Sequence, residues 1–137
     1  MTDPHQAELV ITPQVAGDAA LPFVQQLQYK IDGKTIALAR WHAPSSDDGV
    51  VQLIDLYVDP AHQRHGHGSM LLRAVYKQSV TLFHAVGVKP RRLWACVEQK
   101  RQVNARAFFS RHGFHHISTA SNLYKRQDAM FYQRAYD

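Results

Sequence analysis

The sequence predicts an α/β domain built around a mixed sheet, with elements in the order β-β-β-β-α-β-α-β-β. Asp32-Gly33, placed between two alternating segments, is a strong signal for a β-hairpin turn. The segment 50–58 is apolar and rich in β-branched residues, as expected for a central strand buried on both faces. After Gly68 the apolar residues recur at helical spacing as far as Val86, which indicates a long helix.

The other elements follow from the same periodicities and from turn residues. Loose alternation of apolar and polar residues predicts further strands at residues 8–14, 25–31, 34–42, 92–97, 114–121 and 129–136. The long helix should begin within residues 66–69 and end near Gly87. A second helix at 104–112 is expected to turn Ala107 and Phe108 inward, with Gly113 suited to its C-terminal cap.

Length and composition fit one folded domain spanning residues 1–137. No apolar run approaches the roughly 20 residues needed to cross a bilayer, and the first residues lack a signal-peptide pattern. Cys96 is the only cysteine, so the chain can form neither an internal disulfide nor a thiolate metal cluster. These features predict a cytoplasmic domain with no membrane partner.

The formal net charge of +5 favours anionic partners such as nucleic acid, an acidic protein or a phosphorylated cofactor. The basic residues are scattered along the chain, so charge alone does not choose among them. The sequence has no aromatic-basic RNA motif and no helix-turn-helix signature, which argues against nucleic acid.

The segment from Gln63 to Gly68 is the most informative part of the chain, because it joins the central strand to the long helix. Unpaired amides and the helix dipole at such a junction form an anion site suited to a pyrophosphate. Gly66 and Gly68 would let a phosphate approach the backbone, or would allow a positive φ. Arg64 would add a charge-assisted hydrogen bond. The loop matches neither the nucleotide-hydrolysing P-loop nor the dinucleotide fingerprint.

Gln63 to Gly68 matches the pattern [Q/R]-x-x-G-x-[G/A] in full, and Asn104, Ala107 and the pair Gly113-Phe114 match a second motif downstream. With these two motifs the chain resembles the GNAT superfamily of N-acetyltransferases. The resemblance implies a mixed, mostly antiparallel, twisted sheet of about seven strands with flanking helices.

The helical region that family members carry between their first two strands is shortened here. Residues 13–25 leave room for only one or two turns at about 3.6 residues per turn. The acceptor side is therefore expected to be open. Either a second subunit, in a homodimer, or a large acceptor would cover it.

The resemblance implies an acyl-CoA-dependent N-acyltransferase that moves an acetyl group from acetyl-CoA to a primary amine by direct attack. Backbone groups of 56–58 would pair with the pantetheine arm, and the amides of 64–69 would hold the pyrophosphate. Asn104 would lie near the pantetheine, and the Val58 amide would polarise the thioester carbonyl. The implied cofactor-binding residues are Leu56, Tyr57, Val58, Gln63, Arg64, His65, Gly66, His67, Gly68, Ser69, Asn104 and Phe109.

The sequence offers several candidates for the groups that transfer protons. Many family members have, at the position of Phe109, a tyrosine that acts as the general acid for the departing thiolate. Phenylalanine has no proton to donate. Tyr124, Tyr132 or water would then serve, or the thiolate would leave unaided. Asp55 is the only acid in the central strand, and it is either a base with a pKa raised by burial or an ion-pair partner. Gln52 stands where some relatives carry the base.

His62, His65 and His67 resemble a metal cluster, but a loop rich in glycine is a poor frame for zinc, so no metal is predicted. No motif in the sequence identifies the acceptor, which is either a small amine or a protein amine. The alternatives to an enzyme are a CoA-binding module without catalysis and, with less support, a basic nucleic-acid-binding domain.

Overall fold

The computed structural model describes residues 7–13, 24–45, 47–98, 103–124 and 127–136. Its strands are β1 Ala7–Pro13, β2 Val24–Ile31, β3 Lys34–His42, β4 Val50–Val58, β5 Arg92–Glu98, β6 His115–Tyr124 and β7 Gln127–Ala135. Its α-helices are α1 His67–Ala85 and α2 Val103–Arg111, and a 3-10 turn at Pro60–His62 precedes α1. Residues 13–25, where shortened helices are predicted, lie mostly outside the residues that the structure describes.

The strands form one seven-stranded sheet in the order β1-β2-β3-β4-β5-β7-β6. Only β4 and β5 run parallel among the described strand pairs, because α1 carries the chain from the end of one to the start of the other. The remaining neighbours pair antiparallel. The predicted mixed, mostly antiparallel sheet of seven strands is thereby confirmed.

The hairpin between β2 and β3 has the turn that its sequence predicts. Asp32 and Gly33 have φ of 52° and 79°, both in the left-handed region. Two such residues in succession are typical of the type I′ turn, whose twist matches that of the flanking strands. The turn sets Ile31 opposite Lys34, and a β-bulge at Ile36 then shifts the register by one residue, so that Tyr29 lies opposite Ala37.

α1 packs its apolar side against the sheet and forms the core with it. Leu71, Leu72, Val75 and Phe83 are buried there, each contributing roughly 1.5–3 kcal/mol. Polar contacts add to this packing: the indole of Trp41 donates to Gln78 Oε1 at 3.0 Å, and Gln78 Nε2 donates to Gln25 Oε1 at 3.1 Å. α1 is therefore fixed against β2 and β3. Within the described residues, neither helix is long and apolar enough to cross a membrane.

The inward face of α2 differs from the prediction by one residue. Phe109 is 5% exposed and Phe114, just after the helix, is 2% exposed, whereas Ala107 is exposed. The prediction for Ala107 was wrong because the aromatic rings, which have the larger surface to bury, set the rotation of this short helix. Gly113, at φ 83°, ends α2 as predicted, with Phe114 N–H donating to the Phe109 carbonyl at 2.9 Å.

β4 is buried on one face only, which corrects the expectation of a strand buried on both. Val51 and Leu53 face α1 and are buried, but Ile54 is 40% and Tyr57 56% exposed. Both helices lie on the same side of the sheet, since α2 reaches α1 through Phe108 beside Gly68. No helix of the described residues covers the opposite side, here called the helix-free face.

Candidate active site

A cleft opens where β4 and β5 stop pairing. The two strands are paired only from Val50 opposite Arg92 to Leu53 opposite Ala95. Beyond that point the edge of β4 that faces β5 has no strand partner among the described residues, although the other edge stays paired with β3. Backbone N–H and C=O groups need hydrogen-bond partners, so this edge is suited to an extended ligand that carries amides.

The direction of each backbone group in this edge follows from one hydrogen bond. Asp59 N–H donates to the Ile36 carbonyl at 2.8 Å, towards β3. Successive residues of a strand direct their backbone groups to alternate edges, so Tyr57 also faces β3, while Leu56 and Val58 face the cleft. Of the three residues expected to pair with a pantetheine arm, two therefore present their backbone to the cleft. Tyr57 presents a side chain on the helix-free face instead.

A β-bulge lies at the point where the cleft begins. Arg40 is opposite Asp55 but Trp41 is opposite Leu53, which leaves Ile54 as an extra residue in β4. A bulge bends its strand and changes the alternation of side chains. As a result Asp55 lies beside the mouth of the cleft, on the helix-free face with Arg40. The sequence carries no local signal for this bulge.

The loop between β4 and α1 ends in an uncapped helix start. Arg64 and Gly66 have φ of 66° and 81°, and the left-handed Gly66 is the N-cap residue of α1. Glycine has no side chain to accept from the first-turn amides, and no side chain of the described residues caps the helix. The first-turn amides of 67–69 and the helix dipole are therefore suited to bind an anion.

Gln63 ties this loop to the end of β4. Its side-chain Nε2 donates to the Val58 carbonyl at 3.1 Å. The same carbonyl would otherwise face the cleft, so Val58 offers a ligand its N–H group. Asp59 supports the turn as well, because its Oδ1 accepts from Ala61 N–H at 3.1 Å. The glutamine of the motif thus acts by positioning the loop.

The two glycines of the motif serve different purposes. A Cβ added at Gly66 would meet nothing within 4 Å, so this position needs glycine for its positive φ. A Cβ added at Gly68 would lie 3.3 Å from the Phe108 ring and 3.8 Å from Val58. Gly68 therefore allows α1 to approach α2, and its predicted role in leaving space for a phosphate stays a prediction. The sequence carries no local signal for this contact, because it joins residues forty positions apart.

Ser69 joins the first turn of α1 to the end of α2. Its Oγ lies 2.8 Å from Nε2 of His112, the residue just before the Gly113-Phe114 pair. Burial, followed by the charges of Arg111, Arg73 and Arg134, lowers the pKa of His112. A neutral imidazole can accept the hydroxyl proton of Ser69, so the lowered pKa supports this link.

Three histidines surround the loop. The ring of His67 lies 5.0 Å from that of Tyr29 and 6.1 Å from that of His65. Burial, followed by the charges of His65 and His62, lowers the pKa of His67. Among the described residues, no three His, Cys, Asp or Glu side chains are placed to hold one metal ion. Burial thus favours the neutral imidazole of His67, and protonated neighbouring histidines would oppose its charging further.

Acidification is expected to destabilise the free protein through His67. The unfolded chain protonates this histidine near pH ~6.5 and the folded chain only at lower pH, so this part of the stability is complete above about pH 6.5. It is lost as the pH falls through the folded-state pKa. A bound anion favours the charged imidazole and should oppose the loss. Melting temperatures of wild type and His67→Gln across this range, with and without inorganic pyrophosphate, measure both effects; identical pH profiles in the two proteins would refute the assignment.

Asp55 forms an ion pair with Arg40 across the two strands. Nη2 of Arg40 donates to Asp55 Oδ2 at 2.8 Å, and the Asp55 side chain is 45% exposed. The carboxylate is thus half-exposed and not buried as expected for a base activated by burial. Nε of Arg40 is buried and has no hydrogen-bond partner within the described residues. The pair marks a polar site at the mouth of the cleft.

Tyr132 and Phe109 lie on the helix side of the sheet. Tyr132 is 5% exposed, pairs opposite Ala95 where the cleft begins, and stacks on Phe109 with ring centroids 6.3 Å apart. Phe109 itself is in the core, so Phe108 is the ring of α2 that reaches the loop. The side chains of Asn104 and Tyr124 lie outside the described residues, so their predicted roles stay predictions.

The chain matches a known protein family in sequence and resembles solved structures in fold. A sequence model of the Acetyltransferase (GNAT) family matches residues 2–114. Ard1 from Thermoplasma volcanium is similar in structure, with a TM-score of 0.70 and 18% identity over 82% of this chain and 70% of that one. A search of curated protein sequences finds no match.

Two other solved structures cover nearly the whole chain. A GNAT family acetyltransferase from Elizabethkingia anophelis, solved with acetyl-CoA bound, has a TM-score of 0.69 and 11% identity over 93% of this chain and 98% of that one. The ribosomal-protein-S18-alanine N-acetyltransferase from Escherichia coli has a TM-score of 0.67 and 21% identity over 93% and 94%. At these identities the likeness shows the fold.

Proposed function

The chain belongs to the GNAT acetyltransferase family, and from that membership we propose that it transfers an acetyl group from acetyl-CoA to a primary amine. One observation carries the proposal. The edge of β4 that no described strand pairs with leads, through Gln63, into the start of α1, where no described side chain caps the helix. An amide-binding edge joined to an anion site suits a ligand whose arm carries amides and ends in a pyrophosphate.

Acetyl-CoA supplies an activated acyl group on such an arm. The amides of Leu56 and Val58, which face the cleft, bind the arm and the thioester carbonyl. Leu56 is the nearer of the two to the bulge where the strands part, so its N–H joins that of Val58 as a candidate donor to the oxygen on which negative charge develops. First-turn amides of α1 hold the pyrophosphate.

Asp55 is the candidate base for the acceptor amine. An alkylammonium has a pKa near ~10 and must lose a proton before it can attack. Asp55 Oδ2 is engaged by Arg40, so we assign the proton to the other carboxylate oxygen, directly or through a water molecule. Gln52, on the same strand, can orient such a water but cannot take the proton.

Tyr132 is the candidate acid for the departing thiolate, because its ring stacks on Phe109 at the level where the cleft begins. Tyr132→Phe is expected to lower turnover by roughly 10²-fold, the lower end for a positioned acid, while acetyl-CoA affinity stays unchanged. Steady-state kinetics check this. Unchanged turnover in Tyr132→Phe would rule out Tyr132 as the acid and leave Tyr124, water or unaided departure of the thiolate.

A CoA-binding module without catalysis is the alternative, and it is favoured by the burial of Phe109 where relatives carry a tyrosine. A panel of small amines and of peptides with free α-amino groups, incubated with acetyl-CoA, separates the two. The enzyme hypothesis predicts free thiol and acetylated amine in equal amounts for at least one acceptor. Tight acetyl-CoA binding with no product across the panel would favour the module.

A further inference from the structure

A groove of about 820 Å³ runs along α1, one turn beyond the anion-binding loop. We call it the α1 groove; its walls include Arg73, Tyr76, Lys77, Val80, His112 and Arg134. None of these residues belongs to the cofactor site proposed above. The described residues that line it include no carboxylate.

Among the described residues, three cationic side chains, from α1 and from β7, line the α1 groove. Arg73 and Lys77 are exposed on successive turns of α1, and Arg134 enters from β7. Burial lowers the pKa of His112, and the charges of Arg111, Arg73 and Arg134 lower it further. The cations therefore act on the same space, where an anion would be stabilised.

One cation of the groove is held in place before any ligand binds. Arg134 Nη1 donates to the His112 carbonyl at 2.8 Å, and its guanidinium lies 4.8 Å from the centroid of the Tyr76 ring. Tyr76 packs edge-on against Tyr136, with centroids 4.8 Å apart. Tyr76 and Val80 give the groove an apolar side next to its charges. A fixed guanidinium beside such a surface suits an anion attached to a ring.

A hydrogen bond also connects the α1 groove to the start of α1, next to the anion-binding loop between β4 and α1. Ser69, in the first turn of α1, bonds His112 at 2.8 Å, and Arg73 follows Ser69 by four residues. That spacing is about 6 Å along a helix. One ligand can therefore reach both the loop and the groove.

We propose that the α1 groove is a second phosphate site, which binds a phosphate monoester carried on a nucleoside or a similar ring-bearing group. Two sources have this chemistry: the phosphate on the ribose of CoA, and a separate phosphorylated molecule. The first source rests on the proposed function, and the second does not.

Calorimetric titrations at low salt separate these sources. The probes are acetyl-CoA, acetyl-dephospho-CoA and adenosine 3′,5′-bisphosphate. The test protein is the double variant Arg73→Gln/Lys77→Gln, since both side chains are exposed. Lys89→Gln, with Lys89 exposed and outside the groove lining, is the control for the loss of one positive charge.

If the cofactor fills the groove, wild type should prefer acetyl-CoA to acetyl-dephospho-CoA by about tenfold or more, as expected for a charge-assisted contact. The double variant should lose this preference and Lys89→Gln should keep it. If a separate molecule fills it, adenosine 3′,5′-bisphosphate should bind wild type already saturated with acetyl-dephospho-CoA, and should not bind the double variant.

The proposal is overturned if the double variant binds all three probes as wild type does. If the proposed function is wrong instead, the titrations give a different pattern. In that case neither acyl-CoA would bind at the loop, while adenosine 3′,5′-bisphosphate would still distinguish wild type from the double variant.

Discussion

Asp55→Asn is expected to reduce turnover by roughly 10²–10⁴-fold, the range for a positioned general base. The amide keeps the shape of the side chain but cannot take the proton of the amine. The reduction should shrink at high pH, where more of the amine is already neutral. Acetyl-CoA affinity should hold, because the contacts assigned to Leu56 and Val58 are made by the backbone. Steady-state kinetics over pH, with calorimetric binding, measure these quantities.

Arg40→Gln is the matched control, because it removes the same ion pair and leaves the carboxylate. Both partners are substantially exposed, at 39% and 45%, so each variant should lose only about 0–1 kcal/mol of unfolding free energy. A base role predicts a large turnover loss in Asp55→Asn and a small one in Arg40→Gln. A lowered melting temperature in Asp55→Asn with turnover intact would instead make Asp55 a structural partner.

Gly68→Val is expected to lower the free energy of unfolding by about 1–3 kcal/mol, because its side chain would push into Phe108. The displaced first turn of α1 should bind acetyl-CoA roughly tenfold to a hundredfold more weakly, since small misplacements of positioning groups have effects of this size. Chemical denaturation and calorimetry measure the two losses.

The cause of the Gly68→Val defect is tested by adding Phe108→Leu, which makes room for the new side chain. The double variant should recover much of the stability and of the affinity. Gly66→Val is the contrasting control: its defect comes from a positive φ, so Phe108→Leu should not rescue it. If Phe108→Leu leaves Gly68→Val unrepaired, the valine blocks the ligand directly.

Features set by neighbouring residues were predictable from the sequence. The Asp32-Gly33 turn and the limits of β3 and β4 were placed correctly, because turn geometry and β-branched content act locally. The family was identified on the Gln63 loop, where a short motif joins a strand to a helix. The ends of α1 were predicted to within about two residues.

Features set by long-range pairing were not predictable. The bulge at Ile54 depends on the register with β3, and the ion pair of Asp55 depends on Arg40 across that register. Burial on both faces was predicted for β4 from composition, but the exposure of Tyr57 depends on where the helices pack. A chain of 137 residues brings such partners together only through its tertiary structure.

The most direct test of acyl-CoA binding in the cleft is a titration of the ¹⁵N-labelled protein with acetyl-CoA, followed by amide resonances. The amides of Leu56, Val58 and 67–69 are expected to show the largest shifts. S-acetylpantetheine, which lacks the pyrophosphate, should shift Leu56 and Val58 and leave 67–69 nearly unchanged. Unchanged resonances of these amides at millimolar acetyl-CoA would contradict the assignment of the cleft and of the loop.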